Sequence, residues 1–158
     1  VRRVIAATLA GLAVACAGEV AQGPPAIKWG VDVCESCGMS ISEARYAAAV
    51  AGDLGGERRV FAFDDIGCLA RWETKTSGFI PRERWAHDRN SERWIEAGAA
   101  VFVRSGSWTT PMGSGIAAFS ASADAGAGGV PMVWEQVLDL ARHGELDVPM
   151  PTSAREES

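Results

Sequence analysis

The 158-residue chain has no apolar run long enough to cross a bilayer as a helix, which takes about 20 residues. It has no block of lysine or arginine, and its net charge is −5. Nucleic-acid binding needs a concentrated basic face, so that class is excluded. With only two histidines, His87 and His143, it offers no Ser-His-Asp arrangement and no His-Glu-x-x-His pair. No glycine loop has the spacing that cradles phosphate. What the chain does have is tryptophan, six in all: Trp29, Trp72, Trp85, Trp94, Trp108 and Trp134. Each can bury roughly 150–250 Å², enough for a core in a domain of this length.

The N-terminus reads as a targeting segment. Arg2 and Arg3 are followed by the twelve-residue apolar run Val4 to Ala15, the length of a signal-peptide core. The run ends in Leu12-Ala13-Val14-Ala15-Cys16, which resembles the bacterial lipobox, with Cys16 as the lipidated residue. The competing reading is an ordinary secretory signal cleaved after Ala15. A lipid on Cys16 would anchor the chain to the bilayer and place it facing the periplasm in the bacterial envelope. Loss of Arg2 and Arg3 with the signal takes the net charge from −5 to −7. Four cysteines then become three usable thiols, so at least one is left out of any intramolecular disulfide.

The rest of the chain divides by pattern. Residues 1–15 form the signal and 16–28, with Gly23-Pro24-Pro25, a flexible tether. A first half is expected over 29–80, a second over 81–148, and a disordered tail over 149–158. Arg45 to Ala51 and Arg58 to Phe63 read as strands joined through Gly55-Gly56. Asp64 and Asp65 read as N-caps rather than a carboxylate pair, ahead of a helix with Ile66, Leu69, Ala70 and Trp72 at helical spacing. Arg84 to Asp88 reads as a strand, Trp94 to Val103 as one apolar segment, and Ile116 to Ala121 as another strand. Trp134, Val137, Leu138 and Ala141 make an amphipathic stripe that Gly144 stops. The span Tyr46 to Trp72 repeats loosely as Ile116 to Arg142, with Met39 and Met112 at matching places before each.

The chemistry concentrates in Cys34-Glu35-Ser36-Cys37-Gly38-Met39. Gly38 permits a turn that brings the Cys37 and Met39 sulfurs to one side. A thiolate and a thioether suit copper(I), a soft cation. Met112, in Pro111-Met112-Gly113-Ser114-Gly115, is the third sulfur candidate, and Cys34 a secondary one. Methionine is more often a core filler. Two alternatives stay open. One is a periplasmic thiol-disulfide oxidoreductase using Cys34 and Cys37, which would need a helix directly after the pair. The other is a lipoprotein with structural zinc, which would need two further ligands. Cys68, His87 and His143 form no second paired motif. Cys68 reads as a buried thiol or reserve ligand, His143 as a helix C-terminal residue, and His87 has no assigned role.

The ordered set Cys-x-x-Cys-Gly-Met, Phe61-Ala62-Phe63-Asp64-Asp65-Ile66-Gly67-Cys68-Leu69, Thr110-Pro111-Met112-Gly113-Ser114-Gly115 and Ala117-Ala118-Phe119 resembles the NosL family of copper(I)-binding lipoproteins. The resemblance runs from about Val33 to Gly144. It implies an α+β fold of two similar small ββαβ-type units packed together. It implies copper(I) on Cys37, Met39 and Met112, no catalysis, and delivery of copper for nitrous oxide reductase maturation. A NosDFY-type ABC transporter is the implied docking partner, with nitrous oxide reductase as the recipient. No residue at a matched position stands out as a fourth ligand.

Overall fold

A computed structural model describes residues 23–120 and 128–147. The expected signal peptide, Cys16, most of the tether and the tail 149–158 lie outside the described residues. The last stretch of the expected tether, Gly23 to Lys28, is described, and Ile27 packs against the core.

β1 (Ala48–Leu54) and β2 (Glu57–Phe63) form a hairpin turned at Gly55 and Gly56. A 3-10 turn, Ala44–Tyr46, precedes β1, so this strand begins later than its apolar pattern suggests. β1 is central and buried from Ala48 through Ala51, whereas β2 lies at the sheet edge with Glu57, Arg58 and Arg59 largely outward. Charged residues on an edge strand oppose pairing with another chain. α1 (Ile66–Lys75) follows directly, and β3 (Ile80–His87) returns antiparallel to β1. Arg84 on β3 clasps Glu73 on α1 with two hydrogen bonds, 2.8 and 2.6 Å, fixing helix to sheet.

The apolar segment expected over Trp94 to Val103 is two strands, β4 (Trp94–Glu96) and β5 (Val101–Arg104), separated by a turn at Ala97 to Ala100. β6 (Ile116–Phe119), the short β7 (Pro131–Met132) and α2 (Trp134–Arg142) complete the chain order. The first sheet runs β2-β1-β3-β4 and the second β6-β5-β7. The fold is α+β, with two antiparallel sheets and two helices that pack on each other. The strand correspondence differs from the sequence repeat: β6 and β7 flank β5 and do not pair with each other, unlike β1 and β2. The sheet orders β2-β1-β3 and β6-β5-β7 are the matching pattern.

The core lies between the sheets and helices. Phe63, Ile66 and Leu69 meet Phe102, Ile116, Val137 and Leu146 there, all essentially without exposure. Cys34 and Cys68 belong to the same core, and this places the chemistry at its rim.

Candidate metal centre

The Cys-x-x-Cys-Gly-Met segment is a tight knuckle. The backbone N–H of Gly38 donates to the Cys34 carbonyl (3.0 Å), and that of Cys34 to the Met39 carbonyl (2.8 Å). Gly38 closes the turn at φ +75°, in the left-handed region where residues with a Cβ are strained. Val33 and Ser40 bridge at its neck. The N–H of Glu35 donates to the Ala62 carbonyl (3.1 Å), which pins the knuckle to the end of β2. β2 runs straight into α1 there, so the knuckle sits over that helix's first turn.

The two adjacent aspartates divide their tasks. Asp65 is the N-cap of α1: its Oδ1 accepts from the Gly67 N–H at 2.7 Å. Its Oδ2 accepts from the Thr110 hydroxyl (2.7 Å) and the Met112 N–H (3.0 Å), so the same carboxylate holds the Pro-Met-Gly loop. Asp64 is not a cap. It is buried and faces the knuckle, where its Oδ2 accepts from the Cys37 thiol at 3.5 Å. Its Oδ1 is buried and accepts no hydrogen bond. A burial of this kind leaves a carboxylate oxygen in want of a partner.

Cys68, on the first turn of α1, completes the cluster. The sulfurs of Cys34, Cys37 and Cys68 and a carboxylate oxygen of Asp64 all lie within 4.8 Å of one another. Cys34 and Cys68 are buried and Cys37 is half-buried; all three are free thiols. A hydrogen bond from Cys68 brings the Cys34 thiol down to about 7, against the opposing effect of burial. The same hydrogen bond, with burial, pushes Cys68 far up. Burial pushes Cys37 up to about 11. Arg71, one turn further along α1, donates from Nη2 to the Cys68 sulfur at 3.2 Å and from Nη1 to the Leu146 carbonyl. Three thiols and one carboxylate form a donor set that can hold a soft or borderline metal ion.

Cys37 also faces outward. With Met112, Ser36, Arg71, Leu146 and Asp147 it lines an open cavity of about 310 Å³. Met39 is 55% exposed and lines a separate hollow with Asp64, Thr110 and Pro111. Cys37 and Met112 thus share one cavity, while Met39 and Asp64 line another. No helix follows Cys37 as a thioredoxin-like pair would require; the next regular element is the 3-10 turn at Ala44. The histidines are elsewhere. His143 is the C-cap of α2, its Nδ1 2.8 Å from the Asp139 carbonyl oxygen. His87 is buried between the rings of Trp29 and Trp94, at 5.4 and 4.0 Å, and burial lowers its pKa.

The sequence profile of the NosL family matches residues 29–127. This chain belongs to the NosL family. It is also similar in structure to the copper chaperone NosL from Shewanella denitrificans, whose crystal structure superposes with a TM-score of 0.61. That match has 25% sequence identity and covers 74% of this chain and 96% of the other. No curated protein matches the sequence. The NosL match takes in the knuckle, the start of α1 and the Met112 loop, all three segments that build the centre. Cys68, which reads in the sequence as a buried thiol or reserve ligand, and Asp64, which reads as an N-cap, are brought to Cys34 and Cys37 by the fold. Their one signal is proximity in sequence: Asp64 and Cys68 are four residues apart across the start of α1.

Proposed function

We propose that this chain is a copper(I) chaperone with no catalysis of its own. It binds its ion at Cys37, Met39 and Met112, and the ion serves assembly of the copper sites of nitrous oxide reductase. Membership of the NosL family and likeness to a NosL copper chaperone support the reading. The observation that carries it is the position of Cys37, a thiol that shares an open cavity with the Met112 thioether. Copper(I) is soft and has a filled d shell, so a thiolate with two thioethers suits it without demanding a fixed geometry. Met39 is unbranched and exposed, so rotation about its side-chain bonds carries its sulfur toward Cys37.

The carrier reading includes an anchor and a partner. A lipid on Cys16 holds the chain on the periplasmic side of a bacterial membrane, and a NosDFY-type ABC transporter receives the ion for the reductase. Anaerobic titration of the full chain in detergent is expected to saturate near one copper(I) per chain. Cys37→Ser is expected to weaken binding at least tenfold. Binding of wild-type strength in Cys37→Ser would sink the site assignment. Delivery is tested in cells lacking the gene: wild type restores copper to the reductase and Cys37→Ser does not.

A structural zinc ion is the second reading, because Cys68 and Asp64 raise the donors beside Cys34 and Cys37 to four. Metal analysis of the purified chain would then find one zinc that resists chelators.

A further inference from the structure

We propose that the buried thiols form an inner seat for copper(I), in which Cys34, Cys37 and Cys68 hold the ion through three sulfurs. Cys37 belongs both to this seat and to the outer set with Met39 and Met112. The inference rests on the reading of the chain as a copper(I) carrier and says where else in the molecule the ion resides.

The geometry supports it. A metal–thiolate bond of about 2.3 Å places three trigonal sulfurs about 4 Å apart. The three sulfurs here are already within 4.8 Å of one another, so they close on an ion with side-chain movement of less than an ångström. The seat lies within the core: Cys34 and Cys68 are buried, and only Cys37 reaches the open cavity. Two further features point into it. Asp64, 1% exposed, brings a carboxylate oxygen within 4.8 Å of the sulfurs, and its buried Oδ1 has no hydrogen-bond partner. The Arg71 guanidinium lies 3.2 Å from the Cys68 sulfur, where its charge offsets the negative charge of a thiolate. A soft ion takes the three sulfurs and leaves the hard oxygen as a weak fourth donor.

The shared thiolate has a consequence. The two seats compete for Cys37, so the chain holds one ion at a time. The ion lies either in the buried sulfur seat, slow to leave, or at the methionines, open to a partner. Passage between them exchanges Cys34 and Cys68 for Met39 and Met112 around a fixed Cys37 sulfur. Copper stays in the +1 state throughout.

The test uses the full chain, purified without oxygen in detergent. A variant with both Met39→Leu and Met112→Leu is expected to bind one copper(I) per chain. X-ray absorption should show three sulfur neighbours, and release to a copper(I) chelator should be at least tenfold slower than from wild type. A variant with Cys34→Ser and Cys68→Ser is expected to keep copper at the outer set and release it at least tenfold faster than wild type. Cys68→Ala alone, a small apolar replacement, repeats the measurement if the double variant does not fold. The inner seat is disproved if the methionine variant binds no copper, or binds zinc only, while the Cys34/Cys68 variant binds copper like wild type; the carrier reading then stands. If Cys37→Ser alters nothing in either background, both fall.

Discussion

One carboxylate, Asp65, connects helix formation to the placement of Met112. It is fully buried and accepts three hydrogen bonds, from Gly67, Thr110 and Met112. An N-cap contributes about 0.5–2 kcal/mol and a hydrogen bond to a charged group about 1.5–3 kcal/mol. Asp65→Ala is therefore expected to cost on the order of 3 kcal/mol in urea unfolding, since such bonds in one network do not add fully. Asp65→Asn keeps an acceptor for Gly67 and should lose less. Gly67 acts on the same junction by close approach. A Cβ there would lie 2.5 Å from the Ser114 Cβ, so Gly67→Ala overpacks the contact. Alanine would gain about 1 kcal/mol of helix propensity, but the clash costs about 1–3 kcal/mol and outweighs it. Combining it with Ser114→Gly should recover part of the loss. If Gly67→Ala alone raises the unfolding midpoint, this tight approach is not a constraint on the fold.

Elements with a strong period were legible before the structure. The stripe Trp134, Val137, Leu138, Ala141 became the buried face of α2, and Asp65 capped α1. The Gly55-Gly56 hairpin was equally plain. The stretch Trp94 to Val103 was not, because the alanines at its centre fit an apolar run and a turn alike. The meeting of Cys34 and Cys37 with Cys68 was also hidden. It depends on the Glu35 to Ala62 hydrogen bond, a tertiary contact that no local pattern encodes. His87, at the end of β3, has no role legible in the sequence and lies in an aromatic slot with neither ring nitrogen hydrogen-bonded. Burial holds its pKa below 6.5, and nearby Glu92 offsets only part of that effect. The unfolded chain therefore takes up this proton first as pH falls. Stability from neutral His87 is complete above 6.5 and is lost as pH drops through the folded value. His87→Phe should flatten urea stability between pH 7 and 5.5. An unchanged slope would show that His87 does not titrate on unfolding.

At the scale of the molecule, two sheets must act as one body so that the knuckle on the first meets the Met112 loop, which runs into β6 of the second. The helices pack together, and Arg104 reaches the Ser114 and Glu145 carbonyls at 3.1 and 2.9 Å. The direct seam between the sheets is at Asp88, where the chain leaves β3. Asp88 and Ala118 bridge in parallel, and the Arg89 N–H donates to the Ala118 carbonyl at 2.8 Å. The Asp88 carboxylate accepts from the Ser91 N–H and the Ser120 N–H, each at 2.7 Å, joining its own turn to the end of β6. Burial pushes this carboxyl up, but the hydrogen bonds from Ser91 and Ser120 outweigh it and hold the group down to about 2, against 3.8 when unfolded. The sign follows: a depressed folded value means that the unfolded state binds the proton first. The contribution, about 2 kcal/mol, is present above pH 4 and is lost as pH falls toward 2. Asp88→Asn should therefore lower stability by on the order of 2 kcal/mol at pH 7. The gap from wild type should shrink between pH 4 and 2, because acid removes from wild type the charge that the variant never had. Faster hydrogen exchange at the Ser120 and Arg89 amides should accompany it, since both bonds cross the seam. A gap that stays constant down to pH 2 would mean that shape, not the carboxylate charge, joins the sheets.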